Sequence, residues 1–328
     1  MKRTGRLWER ILERENLRLA FHRASSGKRD RAGVREFGES LDRNLETMTA
    51  QIRDGTFPIG RCHQFMIHDP KRRVITAPCF VERVFHHAII QIAEPTFEQW
   101  LISDTYACRV GKGRIAALQR ARGFARGQGH FLKMDIRSYF DSIRHDRLLE
   151  GLERHFRDTE LLSWFSRMVC AFRGTSGMGL PIGSLTSQHF ANFYLGHYDR
   201  FVKESLRIRG YIRYMDDMAL WSDSSAELAE VLERSREFLR VHLGLKLKPG
   251  YHINRTEHGM DFLGCRVFQH HTIPNRVTRV RFRRRFAKWE SREEWERVGS
   301  LFASIQTAGV SSWQFRRSVL ERSVVSDH

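Results

Sequence analysis

The chain has 328 residues, of which 41% are hydrophobic, and a formal net charge of +18. Its length exceeds that of an average single domain and predicts two or three subdomains. The charge indicates a polyanionic partner, because clustered basic side chains bind phosphate without reading sequence. A merely solvated basic surface is a poor explanation for a charge this high.

The sequence also constrains compartment and membrane contact. It contains no stretch of about 18 consecutive apolar residues, and no amphipathic anchor stands out. The basic N-terminus is not followed by an apolar segment, so no signal peptide is expected. The five cysteines are scattered without paired metal-ligand spacing, which predicts reduced, mostly buried thiols. We therefore expect a cytoplasmic protein without membrane contact.

The first hundred or so positions predict helices around one hairpin. Residues 1–55 form a basic segment with a partial apolar stripe at helical spacing. Between Phe65 and Ile75 two strand-like runs flank Asp69-Pro70-Lys71, a turn signal, so a hairpin is expected. A helix should follow over residues 83–100, interrupted near Pro95.

The next elements alternate between strands and helices. A strand is expected to end at Asp135, followed by helices over residues 147–173 and 184–202. A later helix begins with a capping box, a serine followed three positions on by a glutamate, and ends at a glycine. These positions are Ser224, Glu227 and Gly244. This order of elements is compatible with an α+β fold.

The segment Tyr214-Met215-Asp216-Asp217 carries the most specific signal. It lies between two apolar runs, which predicts a tight β-hairpin with adjacent carboxylates at its tip. Two ionised aspartates side by side repel each other unless a cation or a shared proton compensates. A solvated turn is the alternative explanation for an isolated pair.

Asp135 supplies another carboxylate, at the end of the apolar run 131–134. Taken alone, it would be a cap for the following turn. Together with the hairpin pair it offers the oxygen ligands that Mg²⁺ takes from proteins, with substrate phosphates completing the shell. Two such ions about 4 Å apart can activate an attacking hydroxyl and stabilise a leaving pyrophosphate. The three aspartates therefore predict two-metal phosphoryl transfer.

The chain resembles the reverse transcriptase family over about residues 60 to 270. The segments Phe131–Asp141, Gly179–Gln188 and Tyr214–Asp217 occur in the order of that family's palm motifs. Further matches are Arg73–Pro78 in the fingers, Tyr106–Gly113, and Asp261–Gly264 as the primer-grip hairpin. Each segment alone is a weak signal, whereas the ordered set is specific.

The resemblance implies an α+β right-hand polymerase fold, with fingers, a palm and a small helical thumb. The palm would be an antiparallel sheet with helices on one face. The expected boundaries are a helical extension at 1–55, fingers at 56–130, a palm at 131–270 with a fingers-side insertion at about 147–178, and a thumb at 271–328. The implied activity is RNA-directed DNA polymerase, with template RNA, RNA/cDNA duplex and deoxynucleoside triphosphates as partners.

Within this family the chain is most similar to the reverse transcriptases of diversity-generating retroelements. They carry Ile-Gly-Ser-Leu-Thr-Ser-Gln where many relatives have a glutamine before the glycine, and here Ile182 takes that place. The similarity implies error-prone copying of a template-repeat RNA into mutagenised cDNA, in a bacterial or phage-infected cell. It also implies a basic accessory variability protein, often a pentameric barrel, as a partner. Two alternatives stay open: a defence- or retron-type enzyme that uses another noncoding RNA, and a nucleic-acid-binding scaffold with an inactive site.

The resemblance assigns the catalytic and metal-binding roles to Asp135, Asp216 and Asp217. They would hold two Mg²⁺ ions, for which Mn²⁺ is an alternative. The main-chain carbonyl of Ile136 is expected to face the nucleotide-bound ion.

Nucleotide-binding residues are also assigned by position. Phe140 lies five residues after Asp135, where the family has a steric gate against the 2′-hydroxyl; a core aromatic is the alternative. Arg73, with Lys71, matches the fingers arginine that holds the triphosphate, and exposed charge without a role is the alternative. The other expected contacts are Arg137, Ser138, Tyr139, Pro181, Ile182, Gly183 and Gln188.

Contacts to template and primer complete the assignment. The tail from about residue 271 mixes basic and aromatic side chains, which suits a groove that follows a phosphate backbone. The expected contact residues are Arg109, Lys112, Arg114, Tyr214, Met215, Phe262, Leu263, Gly264, Arg283 and Arg284. Lys246 and Lys248 are candidates for protonating pyrophosphate, but the family's lysine-threonine pattern is not clearly present, so that role is left open.

Overall fold

The computed structural model describes residues 3–68, 72–171 and 177–286, the last five of them as backbone only. The chain divides into two compact units that alternate along the sequence. The first unit comprises Met1–Leu101, Ser138–His197 and Arg240–Leu245. The second unit comprises Ile102–Arg137, Tyr198–Leu239 and Lys246–His328.

The helices and strands are numbered in chain order. Up to the middle of the chain they are α1 (Trp8–Ile11), α2 (Arg14–Ser25), α3 (Ala32–Glu39), α4 (Leu41–Arg53), β1 (Cys62–Ile67), β2 (Arg73–Pro78), α5 (Phe80–Trp100), α6 (Arg114–Gly127), β3 (His130–Met134), α7 (Tyr139–Ser142), α8 (His145–Glu153) and α9 (Thr159–Cys170). They continue with α10 (Leu185–Tyr194), α11 (Gly196–Arg200), β4 (Gly210–Tyr214), β5 (Asp217–Ser222), α12 (Ser225–Leu243), β6 (His252–Arg255), β7 (Met260–Phe262), β8 (Cys265–Val267), β9 (Thr272–Pro274) and α13 (Arg276–Phe286).

The first unit is mainly helical and is organised around α5. The helix α2 packs along α5, where the Asn16 amide donates to the Ala88 carbonyl at 3.1 Å and its oxygen accepts from Gln91 at 2.7 Å. The expected interruption at Pro95 is wrong, because α5 runs unbroken from Phe80 to Trp100. An interior proline removes one helical hydrogen bond and crowds the carbonyl four residues earlier, and the packing of the buried face of α5 outweighs this cost.

The expected helix over 147–173 is also wrong in detail, since α8 and α9 are separate. Between them, the backbone of Thr4 donates to the His155 carbonyl at 2.8 Å and accepts from the Arg157 amide at 2.8 Å. These groups would hydrogen-bond along the helix axis if the helix continued. The N-terminal segment therefore takes over the backbone partners that one long helix would need.

The expected helix over 184–202 breaks after α10. The Trp100 indole N–H donates to the Phe193 carbonyl at 3.1 Å. A Cβ at Gly196 would collide with the same indole ring, so the chain can pass Trp100 closely only with glycine there. The shorter α11 then continues into a π-helical turn over Phe201–Ser205.

The second unit contains the two larger antiparallel sheets. One sheet has the strand order β4-β5-β3-β6, and the other has the order β7-β8-β9. The helix α6 packs on β4 and β8, around a core that includes Phe131, Ile212 and Trp221. The expected α+β class is confirmed, as are the strand that ends before Asp135 and the hairpin at its predicted position before α12.

Other local predictions have mixed outcomes. The hairpin predicted between Phe65 and Ile75 is confirmed by the pairing of β1 with β2. In the capping box, the Glu227 amide donates to the Ser224 hydroxyl at 3.2 Å, but the glutamate carboxylate contacts Ser222 instead of returning to Ser224. The end of α12 at Gly244, which has a φ of 65°, agrees with the prediction.

The five cysteines form no disulfide with one another. The expectation that most of them are buried is wrong. Cys62 and Cys170 are exposed, Cys79 and Cys108 are half-buried, and Cys265 is buried. Cys62 lies on the exposed strand β1, and Cys170 is the last residue of α9. At these positions apolar alternation along the sequence does not predict burial.

The assignments near the C-terminus extend beyond the described residues. The helix α13 opens the predicted thumb, and the rest of that segment, with the side chains of Arg283 and Arg284, lies outside the described part. Within the described part, no helix is both long and apolar enough to cross a membrane.

Two histidines of the first unit should make stability sensitive to acid. Burial lowers the pKa of His189 to about 4 and that of His87 to about 4. Between pH 6.5 and about 4 these two imidazoles are therefore protonated in the unfolded chain but neutral in the folded chain. Stability is lost as the pH falls through this window.

Replacing His189 with leucine should make the free energy of unfolding less dependent on pH. Between pH 7 and pH 4 the wild type should lose as much as about 3 kcal/mol more stability than the variant, at about 1.4 kcal/mol per pKa unit. Urea unfolding of both proteins between pH 7 and pH 4 measures it. His258→Leu, at an exposed histidine, is the control. If the free energy of unfolding depended on pH in the same way for wild type and His189→Leu, the lowered pKa of His189 would be contradicted.

Candidate active site

The hairpin of β4 and β5 presents two adjacent carboxylates at its turn. Tyr214 pairs with Asp217, which leaves Met215 and Asp216 as the turn residues. Met215 has a φ of 54°, a left-handed conformation that is uncommon for residues other than glycine. Asp216 and Asp217 are both half-buried.

The register of β3 against β5 places Asp135 beside this hairpin. Met134, the last residue of β3, pairs with Met218, near the start of β5. Asp135 follows Met134 and Asp217 precedes Met218, so the two carboxylates stand at neighbouring strand ends. Directly opposed residues of antiparallel strands have Cβ atoms about 5 Å apart. The sheet therefore gathers at one edge the three aspartates predicted to act together.

Two lysines partner these carboxylates. The Lys133 ammonium contacts Asp217, and the Lys248 ammonium lies 3.3 Å from Oδ2 of Asp135. Burial lowers the pKa of Lys133 to about 8, although the neighbouring carboxylates, including Asp135 and Asp216, oppose the shift. The sequence analysis did not identify Lys133. Its position two residues before Asp135 on a strand was the available signal, since alternate residues share a face.

The backbone around Asp135 is held from a second direction. The Lys248 amide donates to the Asp135 carbonyl at 2.8 Å, and Ile136 forms an antiparallel bridge with Leu247. The Arg137 amide donates to the Lys246 carbonyl at 2.9 Å. The strand end that carries Asp135 is therefore fixed on both sides.

The donor set fits a hard divalent cation. Over residues 3–68, 72–171 and 177–286, no group of three acidic, histidine or cysteine side chains forms a preformed metal cage. Mg²⁺ does not require one, because it is usually held by one or two carboxylates with water and substrate phosphates. The carboxylates of Asp135, Asp216 and Asp217 are oxygen donors of the required kind, and Lys133 and Lys248 offset part of their negative charge.

In the first unit, the turn Pro181-Ile182-Gly183 lies against β2. The Thr76 amide donates to the Ile182 carbonyl at 2.7 Å. Gly183 has a φ of 123°, and a Cβ there would come within 2.7 Å of Ile75 and 3.0 Å of the Thr76 carbonyl oxygen. Only glycine fits, so the backbone fixes the position of the half-buried Ile182 side chain next to it.

Phe140 is attached to the same turn. Its carbonyl accepts a hydrogen bond from the Leu180 amide at 2.9 Å, one residue before Pro181. The neighbouring Tyr139 is buried and its hydroxyl donates to the Ala191 carbonyl. Phe140 itself is half-buried, with its ring 5.8 Å from that of Tyr139 in an edge-on arrangement.

The other predicted nucleotide contacts are placed as follows. Arg73 begins β2 and is exposed, and Arg137 and Ser138 are exposed between β3 and α7. Gln188 is half-buried on α10. Lys71 lies outside the described residues.

The segment predicted as a primer grip forms a hairpin of β7 and β8 in the second unit. Leu263 and Gly264 are its turn residues, with φ values of 49° and 79°, as a two-residue type I′ turn requires. Arg114 donates to the Leu263 carbonyl at 2.8 Å. The buried Phe262 ring lies 5.3 Å from the Lys133 ammonium, which connects this hairpin to the carboxylate edge.

Two other predicted template contacts have intramolecular partners. The Arg109 guanidinium donates to the carbonyls of Ile102 and Thr105 at 2.6 and 2.9 Å. The Lys112 ammonium donates to the Ser103 carbonyl at 2.9 Å. These contacts shape the loop before α6, and a role with nucleic acid stays a prediction.

The family model for reverse transcriptase (RNA-dependent DNA polymerase) matches residues 68–267, which is more than half of the chain. The chain belongs to the reverse transcriptase family. The matched range includes the three aspartates and both of the hairpins at the site.

Curated relatives of this reverse transcriptase are distant. Protein YkfC of Escherichia coli K12 is 23% identical over 245 residues, covering 61% of this chain and 64% of YkfC. The group II intron-encoded protein LtrA of Lactococcus lactis subsp. cremoris is 23% identical over 171 residues, covering 49% of this chain and 28% of LtrA. Nuclear intron maturase 4 of Arabidopsis thaliana is 24% identical over 208 residues, covering 61% of this chain and 25% of the maturase. The chain thus spans under two thirds of each of these relatives.

Solved structures agree on the fold. Apo telomerase of Candida tropicalis, truncated from its C-terminal domain, superposes with a TM-score of 0.50 at 12% identity, covering 66% of this chain and 55% of the telomerase chain. At this identity the likeness concerns the fold alone. The expected right-hand polymerase fold is confirmed.

Proposed function

We propose that this protein is an RNA-directed DNA polymerase. The observation that supports it most strongly is the register that brings Asp135 to the strand end beside Asp216 and Asp217. In the proposed reaction, the 3′-hydroxyl of a primer attacks the α-phosphate of a deoxynucleoside triphosphate, and pyrophosphate leaves. The three carboxylates and the Ile136 carbonyl would hold two Mg²⁺ ions, which supply positive charge to the reacting phosphate when bound.

Residues of the first unit would bind the incoming nucleotide. Arg73 would bind the triphosphate, because its planar fork matches phosphate oxygens. Phe140 would pack against the sugar, and Ile182 would form the floor under the nascent base pair. The hydrogen bond between Leu180 and the Phe140 carbonyl supports a joint role for the latter two.

The second unit would hold template and primer. The primer-grip hairpin around Leu263, fixed by Arg114, would position the primer end. The net charge of +18 supports binding of an RNA template and of the RNA/cDNA duplex. Lys248, already beside Asp135, would be the nearer of the two candidate lysines for protonating pyrophosphate.

Primer extension tests this proposal. The purified protein, given an RNA template, an annealed DNA primer, deoxynucleotides and Mg²⁺, should add nucleotides dictated by the template. Chelation of Mg²⁺ should stop the reaction. Binding of the primer–template without any extension in Mg²⁺ or Mn²⁺ would favour the scaffold alternative and refute the polymerase.

We further infer that the enzyme is error-prone and copies a template-repeat RNA within a diversity-generating retroelement. Ile182 supports this, because isoleucine cannot hydrogen-bond across the nascent base pair as glutamine can. The proposed accessory partner is a basic variability protein, often a pentameric barrel. The relation to group II intron proteins favours the second candidate, a bacterial reverse transcriptase serving another noncoding RNA. Sequencing of RNA co-purified with the protein separates the two.

Replacing Ile182 with glutamine should lower the error rate opposite template adenine. A polar contact restored at the floor of the pair adds roughly 1–3 kcal/mol of discrimination. Sequencing of cDNA made on an adenine-rich RNA measures the effect. Ile182→Val keeps the floor apolar and is the matched control, and an unchanged error spectrum for the glutamine variant would remove Ile182 as the cause.

A further inference from the structure

A buried ion pair joins the β4–β5 hairpin to the helix α11. Arg213 on β4 and Asp199 on α11 both have fully buried side chains. The guanidinium binds the carboxylate through two bonds, from Nε to Oδ1 at 2.7 Å and from Nη2 to Oδ2 at 2.6 Å. This fork geometry is the strongest arrangement that arginine forms with a carboxylate.

The Asp199 carboxylate is saturated by two further donors. The Tyr211 hydroxyl donates to Oδ1 at 2.6 Å, and the Thr105 hydroxyl donates to Oδ2 at 3.1 Å. A buried charge is tolerated only when it is paired and hydrogen-bonded. Asp199 therefore has one orientation, and it holds the Arg213 guanidinium in one place.

The guanidinium also contacts the turn of the hairpin. Its Nη1 donates to the main-chain carbonyl of Met215 at 3.1 Å. Met215 is the turn residue with positive φ, immediately before Asp216. Such a conformation persists in a residue with a side chain only where its surroundings hold it.

The backbone of Arg213 is fixed as well. Its amide donates to the Asp104 carbonyl at 3.0 Å, and its carbonyl accepts from the Tyr106 amide at 3.0 Å. On its other side Arg213 pairs with Met218 of β5. The backbone and the side chain of Arg213 are thus both held, and its Nη1 contacts the Met215 carbonyl in the turn.

We infer that Arg213, oriented by Asp199, is a positioning residue that holds the Met215–Asp216 turn and so presents the hairpin carboxylates to the cation and the primer end. This inference rests on the proposed polymerase function for its catalytic consequence. A purely stabilising ion pair would need no bond to the turn carbonyl.

The decisive variant is Arg213→Lys. Lysine can pair with Asp199, but a single ammonium cannot also reach the Met215 carbonyl. We expect kcat for nucleotide addition to fall at least about tenfold, because small misplacements of reacting groups are costly. The KM for the deoxynucleotide should change by less than about twofold, since Arg213 does not touch substrate.

A second measurement needs neither catalysis nor metal. Amide hydrogen exchange in the segment 214–218 of the metal-free protein should accelerate at least about tenfold in Arg213→Lys, because local opening of the turn becomes easier. If Arg213→Lys does not fold cooperatively, the apolar pair Arg213→Met with Asp199→Leu replaces it. That pair removes both charges together and should show the same faster exchange.

The control is Tyr198→Phe, which removes a buried 2.7 Å hydrogen bond to Ser235 in the same unit without touching the turn. It should lower thermal stability and leave kcat and exchange in 214–218 unchanged. The inference would be overturned if amide exchange in 214–218 were as slow in Arg213→Lys as in the wild type. It would also be overturned if Tyr198→Phe changed kcat and this exchange as much as Arg213→Lys does. If the wild-type protein extends no primer, the polymerase proposal fails, and the exchange comparison alone still decides whether Arg213 holds the turn.

Discussion

Asp216→Asn should lower primer extension by at least about a hundredfold, since stabilisation of charge in the transition state supplies most of the catalysis in phosphoryl transfer. Asparagine has nearly the same shape as aspartate and keeps an acceptor oxygen, so the turn at Met215 should persist. What disappears is one negative charge at the edge where Asp135 and Asp217 stand. Single-turnover extension at saturating Mg²⁺ and deoxynucleotide measures the loss.

The matched control removes one negative charge elsewhere in the second unit. Glu230 is exposed on α12, and Glu230→Gln should extend primers at the wild-type rate. Both variants should unfold at nearly the wild-type temperature. Retention of more than about a tenth of wild-type extension by Asp216→Asn would contradict the assignment of Asp216 to the cation site.

The parts of the site that local sequence determines were predictable. Turn chemistry and apolar alternation act within a few residues, and they place the hairpin at Tyr214–Asp217 where the structure has it, whereas the hairpin at Asp261–Gly264 was expected from the family resemblance. The end of β3 before Asp135 follows from the same local pattern. The candidate aspartates were therefore accessible from sequence before any coordinates.

The ends of helices depended on distant residues. Nothing between α8 and α9 in sequence indicates that Thr4 will bind there. Trp100, whose indole N–H donates to the Phe193 carbonyl, is similarly remote in sequence from the break before Gly196. Pro95 shows the converse, since a strong local signal for a break is overridden by packing along the length of α5.

The supporting residues of the site were not predictable for a similar reason. A lysine at position 133 in an apolar strand and an arginine at 213 in another are ambiguous, because either could face solvent. Their roles depend on partners brought by the fold, which are Asp217 for Lys133 and Asp199 for Arg213. Sequence reasoning identifies groups that carry the proposed chemistry more readily than groups that orient them.

Phe140→Val should admit ribonucleotides, and this is the second large effect that we expect. A phenyl ring against the sugar would exclude a 2′-hydroxyl sterically, and shortening it leaves room for that oxygen. The preference for deoxynucleotides over ribonucleotides, measured as the ratio of kcat/KM values, should fall by roughly 10- to 200-fold, the range for a pocket that gains or loses a small group. Extension with the deoxynucleotide should fall much less, because the carboxylate edge is unchanged.

The hydrogen bond from the Leu180 amide to the Phe140 carbonyl should confine the effect of Phe140→Val to the discrimination between the two sugars. Since the backbone of Phe140 is fixed by that hydrogen bond and by the buried Tyr139 beside it, replacing the side chain should leave the turn at Ile182 in place. Phe80→Val removes another half-buried ring of the first unit and is the matched control. If both variants keep wild-type discrimination, Phe140 is a packing aromatic, and sugar selection must come from a different side chain of the nucleotide site.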